Sequence, residues 1–145
     1  MPVERRARAT WEGDLIKGSG EVSTESDVVQ SATVKWSSRA EQADENTSPE
    51  ELIAAAHATC VSMALAHGLA QAGTPPKRLE SEATATFDQV GEGFRMTTMR
   101  LSIRGEVDGV DEEAFRSAAE NAKENCPVSQ ALKGNVEVTV DASLT

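Results

Sequence analysis

The clearest structural signal in this chain is the sequence Thr47-Ser-Pro-Glu-Glu-Leu-Ile-Ala-Ala-Ala-His-Ala-Thr-Cys60. Ser48 is followed three residues later by Glu51, which is the pattern of a capping box at a helix start. Pro49, between them, suits the first helical position, where a proline ring costs no backbone hydrogen bond. The sequence therefore predicts a helix that begins beside Ser48 and carries the first cysteine of the chain.

The predicted helix continues through residues 52–72, where nearly every side chain is small or apolar. A helix that is apolar almost all round is typical of one buried on most sides. Its length would also suffice to cross a bilayer. It is rich in alanine, however, holds two histidines and starts with two glutamates, which favours a core helix over a membrane span. Gly73, with two prolines close behind it, predicts the end of the helix.

Length and charge limit the class of protein. The chain has 145 residues, which predicts a single domain over residues 1–145 with a substantial core. Fourteen basic and twenty-four acidic residues leave a net charge of −10, and the basic residues are scattered. This argues against a nucleic-acid partner, because such proteins concentrate positive charge. The arginines near the N-terminus lack a following apolar segment, so we expect a cytoplasmic protein without a membrane anchor.

Alternating apolar and polar residues predict strands on both sides of the central helix. Before it, a first strand is expected at residues 4–11, then a hairpin loop or short strand pair at residues 13–20 and a second strand in the run to Ser26. A third strand is expected at residues 30–37, so that Arg39 stands at a strand exit. After it, the sequence predicts a long hairpin over residues 79–107, a helix capped by Asp111 that runs to Asn125, a short helix from Pro127 to residue 132 or 133, and a last strand around residues 136–140. Strands and helices segregated in this way indicate the α+β class.

Two cysteines, Cys60 and Cys126, lie sixty-six positions apart. A chain in a reducing compartment does not rely on a structural disulfide, so the simplest interpretation is two buried, inert thiols. Pro127 favours a helix start beside Cys126, where backbone N–H groups stabilise a thiolate. Cys60 lies about three turns into an apolar helix, where burial raises a thiol pKa unless a cation approaches. Local physical chemistry alone therefore favours Cys126 as the reactive thiol.

The segments around both cysteines resemble the two cysteine motifs of the OsmC/Ohr family of thiol peroxidases. They are Thr47-Ser-Pro-Glu-Glu-Leu-Ile-Ala-Ala-Ala-His-Ala-Thr-Cys60-Val-Ser-Met-Ala-Leu65 and Glu124-Asn-Cys126-Pro-Val-Ser-Gln-Ala-Leu132, and similar residues recur at Trp11-Glu-Gly13, Trp36-Ser-Ser-Arg39 and Gly93-Phe-Arg-Met96. The resemblance implies antiparallel sheets, a long buried central helix carrying the first cysteine, a second amphipathic helix and an intertwined homodimer. It also implies a peroxidase that reduces organic hydroperoxides and hydrogen peroxide with an external dithiol reductant, for example of the lipoyl type, and without metal, haem or flavin.

The same resemblance assigns roles to four residues. Cys60 would be the thiolate that attacks the peroxide, and Cys126 the thiol that then closes a disulfide with it. Arg39 would hold the peroxide oxygens, and Glu50 would orient that arginine. The organic hydroperoxide resistance branch places its arginine in the first hairpin, where this chain offers only Lys17. Arg39 instead fits the osmotically inducible branch, the OsmC branch.

Helix geometry adds one constraint. Ten helical residues rise about 15 Å, so Glu50 cannot meet the Cys60 of its own helix, and we expect it to serve the partner subunit's Cys60. Simpler interpretations stay open for these residues: Glu50 as a partner for the helix dipole, and Arg39 as a solvated loop residue. His57, Cys60 and Cys126 could gather a metal, but three residues without a fourth ligand make a poor zinc set.

Two interpretations other than an enzyme also remain. A redox-sensing or ligand-binding protein could keep the same fold and both thiols without turnover. A structural stress protein would use neither thiol, so that substituting either cysteine would have no effect.

Overall fold

The computed structural model describes residues 1–145, and its contacts divide into two units, Met1–Pro49 and Glu50–Thr145. The first contains β1 (Ala7–Glu12), β2 (Ser19–Thr24), β3 (Ala32–Val34) and the short helix α1 (Trp36–Ala40). The second contains nearly all of α2 (Pro49–Gln71), followed by β4 (Arg78–Val90), β5 (Gly93–Glu106), α3 (Glu112–Asn125), α4 (Pro127–Leu132) and β6 (Glu137–Leu144). The predicted α+β class is confirmed.

The first unit is an antiparallel sheet in the order β1-β2-β3. Gly20 pairs with Trp11, and a Cβ at Gly20 would lie 2.8 Å from the Trp11 ring, so this close approach requires glycine. The third strand is shorter than predicted, because β3 ends at Val34. The chain then turns into α1, where the Arg39 N–H donates to the Lys35 carbonyl at 3.2 Å. Arg39 therefore belongs to a helical turn rather than to a strand exit.

The helix α2 begins and ends where the sequence predicts, at Pro49 and at Gln71. Gly73 has a φ of +88°, in the left-handed region that glycine occupies without strain. Its N–H donates to the Ala70 carbonyl at 3.0 Å, and the Thr74 N–H donates to the Leu69 carbonyl at 2.9 Å. These two bonds form a Schellman motif, which satisfies carbonyl groups at the helix end.

The buried part of the α2 surface is smaller than the composition of the helix predicts. Four residues spaced by four are buried in one stripe, namely His57, Val61, Leu65 and Leu69. The last three belong to the hydrophobic core of the second unit, whereas Met63 keeps 69% of its surface exposed. By length and composition alone α2 could cross a membrane, but its buried stripe makes it a core helix of this unit.

The second sheet has the order β4-β5-β6 and is mixed. β4 and β5 form the predicted hairpin around a two-residue turn at Gly91 and Glu92, with Val90 paired to Gly93. β6 pairs with β5 in parallel, which corrects the expectation of wholly antiparallel sheets. The reason lies in the connection: α3 and α4 carry the chain back along the sheet, so β6 starts at the same end as β5.

The helix α3 packs one apolar stripe into the core, as its sequence predicts. Asp111 caps it by accepting a hydrogen bond from the Ala114 N–H at 2.8 Å. Phe115 and Ala119 are fully buried on its inner face. Gly105 on β5 makes room for this helix, because a Cβ there would lie 2.5 Å from the Phe115 ring.

Candidate active site

The two cysteines are both free, and the second unit brings them together from distant positions in the sequence. Cys60 lies half-buried in the middle of α2, and Cys126 is fully buried between α3 and α4. The backbone fixes Cys126 from both sides. Its N–H donates to the Ala122 carbonyl at 2.9 Å and closes α3, while its own carbonyl accepts from the Gln130 N–H at 3.0 Å and opens α4.

Burial and two neighbouring groups determine the ionisation of Cys60. Burial raises the pKa of its thiol, and so does the neighbouring thiol of Cys126. The backbone N–H of Val128, in the first turn of α4, acts in the opposite direction and lowers the pKa of Cys60. Burial and Cys126 prevail, so these groups keep Cys60 protonated, and a thiolate there needs a cation in addition.

The arrangement supports disulfide chemistry within one chain. Two thiols close enough to influence each other's ionisation need only a short further approach to form a sulfur–sulfur bond of about 2 Å. Cys126 sits where two helices meet, so a small rotation of either helix changes its distance from Cys60. The sequence favoured Cys126 for its place beside a helix start, but an N–H of that same turn lowers the pKa of Cys60 instead.

A histidine and a serine form a second contact between α2 and α4. His57 is fully buried, and its Nε2 lies 2.7 Å from the hydroxyl of Ser129. The other ring nitrogen, Nδ1, is buried without a hydrogen-bond partner. Burial lowers the pKa of His57, so the imidazole is neutral in the folded chain near neutral pH.

The sequence missed Ser129. His57 was considered only as part of a metal set, and Ser129 carries no local signal beyond its place one turn after Cys126. No group of three or more His, Cys, Asp or Glu side chains in residues 1–145 is arranged to hold a metal ion. The Nε2 of His57 is directed to the serine hydroxyl instead.

The other two predicted site residues lie away from the cysteine pair in sequence. Glu50 is the second residue of α2 and is 8% exposed. The helix runs without a break from Pro49 to Gln71, so Glu50 and Cys60 are separated by about 15 Å of helical rise, as the spacing predicts. Arg39 lies in the last turn of α1, within the first unit. The structure thus joins Cys60 with Cys126 and keeps Glu50 apart from the cysteine of its own helix.

Comparison with known proteins gives the family. Residues 42–141 match the family described as OsmC-like protein. The chain is 41% identical over 144 residues to Peroxiredoxin OsmC of Escherichia coli (strain K12), covering 99% of both chains. It is 31% identical over 109 residues to the organic hydroperoxide resistance protein OhrA of Bacillus subtilis (strain 168), covering 72% of this chain and 73% of that one.

Solved structures agree with the sequence comparison. An organic hydroperoxide resistance protein from Elizabethkingia anophelis superposes with a TM-score of 0.77 at 26% identity and covers all of both chains. OhrB of Bacillus subtilis superposes with a TM-score of 0.74 at 25% identity, covering 95% of this chain and 98% of that one. By sequence, by fold and by both cysteine motifs, this chain belongs to the OsmC family.

Proposed function

We propose that this chain is a thiol-dependent peroxidase that reduces organic hydroperoxides and hydrogen peroxide. The observation that carries the proposal is the meeting of two free cysteines, Cys60 and Cys126, inside one subunit of an OsmC-family fold. The relatives support the substrate class, since one is named a peroxiredoxin and others are named for organic hydroperoxide resistance.

The reaction runs in three steps. The Cys60 thiolate attacks the terminal peroxide oxygen, the O–O bond breaks, and the leaving alkoxide takes a proton to become an alcohol, or water in the case of hydrogen peroxide. Cys60 is then a sulfenic acid. The Cys126 sulfur attacks the Cys60 sulfur, the S–O bond breaks, and water leaves with the thiol proton. An external dithiol, for example of the lipoyl type, reduces the disulfide and supplies both electrons, so no bound cofactor is needed.

The first step needs more than a thiolate. A lower thiol pKa raises the thiolate fraction but also lowers its nucleophilicity, and the two effects largely cancel. Acceleration must therefore come mainly from orienting the peroxide and stabilising the alkoxide as it leaves. We assign this task to Arg39, whose planar guanidinium can donate to both peroxide oxygens, and we assign to Glu50 the orientation of that arginine.

We further propose that the active protein is a homodimer and that Glu50 serves the partner subunit's Cys60. The continuous helix supports this, because it separates Glu50 from the Cys60 of the same chain by about 15 Å of rise. The apolar residues that α2 leaves exposed, with Met63 as the largest, support a second copy as the partner.

Complementation between two inactive variants tests the shared site. Cys60→Ser removes the attacking thiol, and Glu50→Gln removes the carboxylate that orients Arg39. Co-expression of the two variants forms dimers that contain one subunit of each. If each site combines residues of two chains, the mixed dimers hold one intact site, and activity should return to about a quarter of the wild-type level for random pairing. A mixture as inactive as its parents would assign Glu50 and Cys60 to the same chain.

The peroxidase proposal itself is tested by hydroperoxide consumption with a dithiol reductant. The wild-type chain should consume both cumene hydroperoxide and hydrogen peroxide, and Cys60→Ser should abolish consumption. Cys126→Ser should complete one attack and then accumulate sulfenic and over-oxidised Cys60, detectable by mass spectrometry. Consumption by wild-type protein no faster than by Cys60→Ser would refute the peroxidase activity. We place the protein in the cytoplasm, where a dithiol pool keeps both cysteines reduced.

A further inference from the structure

His57 and Ser129 lie beside the two thiols, and the proposed reaction gives them no role. On α2, His57 precedes Cys60 by three residues, so both side chains lie on neighbouring turns of one face. On α4, Ser129 follows Cys126 by three residues, again one turn away. The hydrogen bond between His57 and Ser129 and the contact between the two thiols therefore join the same two helices at adjacent turns.

The protonation of His57 follows from its surroundings. A neutral imidazole carries one N–H, and a buried N–H without an acceptor is rarer and more costly than an unused lone pair. The proton therefore belongs on Nε2, which donates to the Ser129 hydroxyl, and Nδ1 keeps a lone pair without a partner. A leucine would fill such a buried site without leaving a polar atom unpaired, so the imidazole is not there for packing alone.

We propose that His57 and Ser129 form a positioning pair, which holds the start of α4 on α2 so that Cys126 stays within reach of Cys60 for the disulfide-forming step. This rests on the proposed function. In that step the Cys126 sulfur bonds to the Cys60 sulfur while hydroxide leaves and takes up the thiol proton. Neither side chain is hydrogen-bonded to a sulfur, and the pair acts only through the placement of α4, so the peroxide attack by Cys60 does not depend on it.

A second hydroxyl contact of α2 provides a matched control. The Ser62 hydroxyl lies 2.7 Å from that of Ser81, the same length as the His57–Ser129 contact, but it joins α2 to β4. Ser81→Ala therefore removes one hydroxyl partner of α2, as Ser129→Ala does, without touching α4. A purely structural contribution would affect both variants alike.

The experiment separates the two chemical steps. Reduced protein is mixed with one equivalent of hydrogen peroxide, and sulfenic acid and disulfide are followed by quenched-flow mass spectrometry. Ser129→Ala should form sulfenic acid within about twofold of the wild-type rate but close the disulfide about three- to tenfold more slowly, the size expected from one buried hydrogen bond. More of its Cys60 should become over-oxidised in excess peroxide. Ser129→Thr, which keeps the hydroxyl, should restore the wild-type rate, and Ser81→Ala should close the disulfide at that rate.

A double variant guards against failure to fold. His57→Leu with Ser129→Ala removes both partners and leaves no unpaired polar atom, so it should fold even if Ser129→Ala does not. It should show the same slow disulfide closure. Closure within twofold of wild type in this variant, or an equal slowing in Ser81→Ala, would overturn the positioning role.

A glutathione redox titration tests the positioning role of His57 and Ser129 without relying on peroxidase activity. Loss of the pair should shift the equilibrium between dithiol and disulfide toward the dithiol by about three- to tenfold, because the two sulfurs are held together less often. A wild-type chain that consumes no hydroperoxide would end the proposed function, whereas an unshifted equilibrium in the double variant would end the positioning role.

Discussion

Neutral His57 should make the protein less stable in mild acid, and the size of the loss follows from its burial. The side chain is fully buried, and burial lowers its pKa below the ordinary histidine value of 6.5. Below pH 6.5 the unfolded chain therefore binds a proton that the folded chain does not, so stability is present above that pH and is lost as pH falls. If the folded chain takes up no proton on His57 in this range, the loss between pH 7.5 and pH 5.5 reaches its upper limit of about 1.4 kcal/mol.

The measurement is urea unfolding at the two pH values, at one protein concentration, because association would shift the midpoint. Most carboxylates titrate below about pH 5, outside this window. His57→Gln should reduce the pH-dependent loss, by at most about 1.4 kcal/mol. The control is His67→Gln, which removes the only other histidine, an exposed one on the same helix.

If His57→Gln and its parent lose the same unfolding free energy between the two pH values, the conclusion that His57 is buried and neutral is wrong. A change that appears in His67→Gln instead would assign the titration to the exposed histidine. Nuclear magnetic resonance of the two imidazole rings would give the same answer directly, since only the ring that stays neutral keeps its shift between pH 7.5 and pH 5.5.

Two predictions concern the core and a helix start. Gly105→Ala should lower the free energy of unfolding by about 1–3 kcal/mol, because the new Cβ would lie 2.5 Å from the buried Phe115 ring. Chemical denaturation would measure this against Gly68→Ala, where nothing lies within 4 Å and the better helix former should be neutral or stabilising. Asp111→Ala should cost about 1 kcal/mol by removing the cap of α3, whereas Asp108→Ala, which breaks only an exposed ion pair with Lys77, should stay within about 0.5 kcal/mol of wild type in the same assay.

Local signals in the sequence predicted the parts of the fold that depend on neighbouring residues. Pro49 and Gly73 define the ends of α2 because a proline suits a first helical position and a glycine accepts a positive φ. Asp111 caps α3 for a similarly local reason. The hairpin of β4 and β5 was predicted because its alternation is long, although the strands continue to Val90 and Gly93, into the segment predicted as a turn.

The pairing of strands that lie far apart in the sequence was not predicted. The parallel placement of β6 depends on how α3 and α4 carry the chain, and nothing within β6 records it. The alternation that ends at Trp36 predicted a longer strand, but β3 has its partner β2 only as far as Val34, and the next residues form α1. Alternation alone cannot tell where a neighbouring strand ends.

The candidate site was predicted in part. Motif resemblance identified both cysteines, and local chemistry explained why Cys60 needs a cation. The contact of His57 with Ser129 spans 72 positions in sequence, so no periodicity could reveal it. The exposed side of α2 was missed for another reason: apolar composition indicates that a surface becomes covered, but not whether the same chain or another one covers it.

The contact between Cys60 and Cys126 has a consequence for how long the protein survives in the cell. A disulfide between them would close a loop of sixty-six positions and stabilise the chain against unfolding by about 4 kcal/mol. Proteolysis of a folded protein commonly follows the fraction that is transiently unfolded. The oxidised form would therefore be degraded far more slowly than the reduced form. After a burst of peroxide that exhausts the dithiol supply, a cell would keep its stock of this protein until reducing power returned.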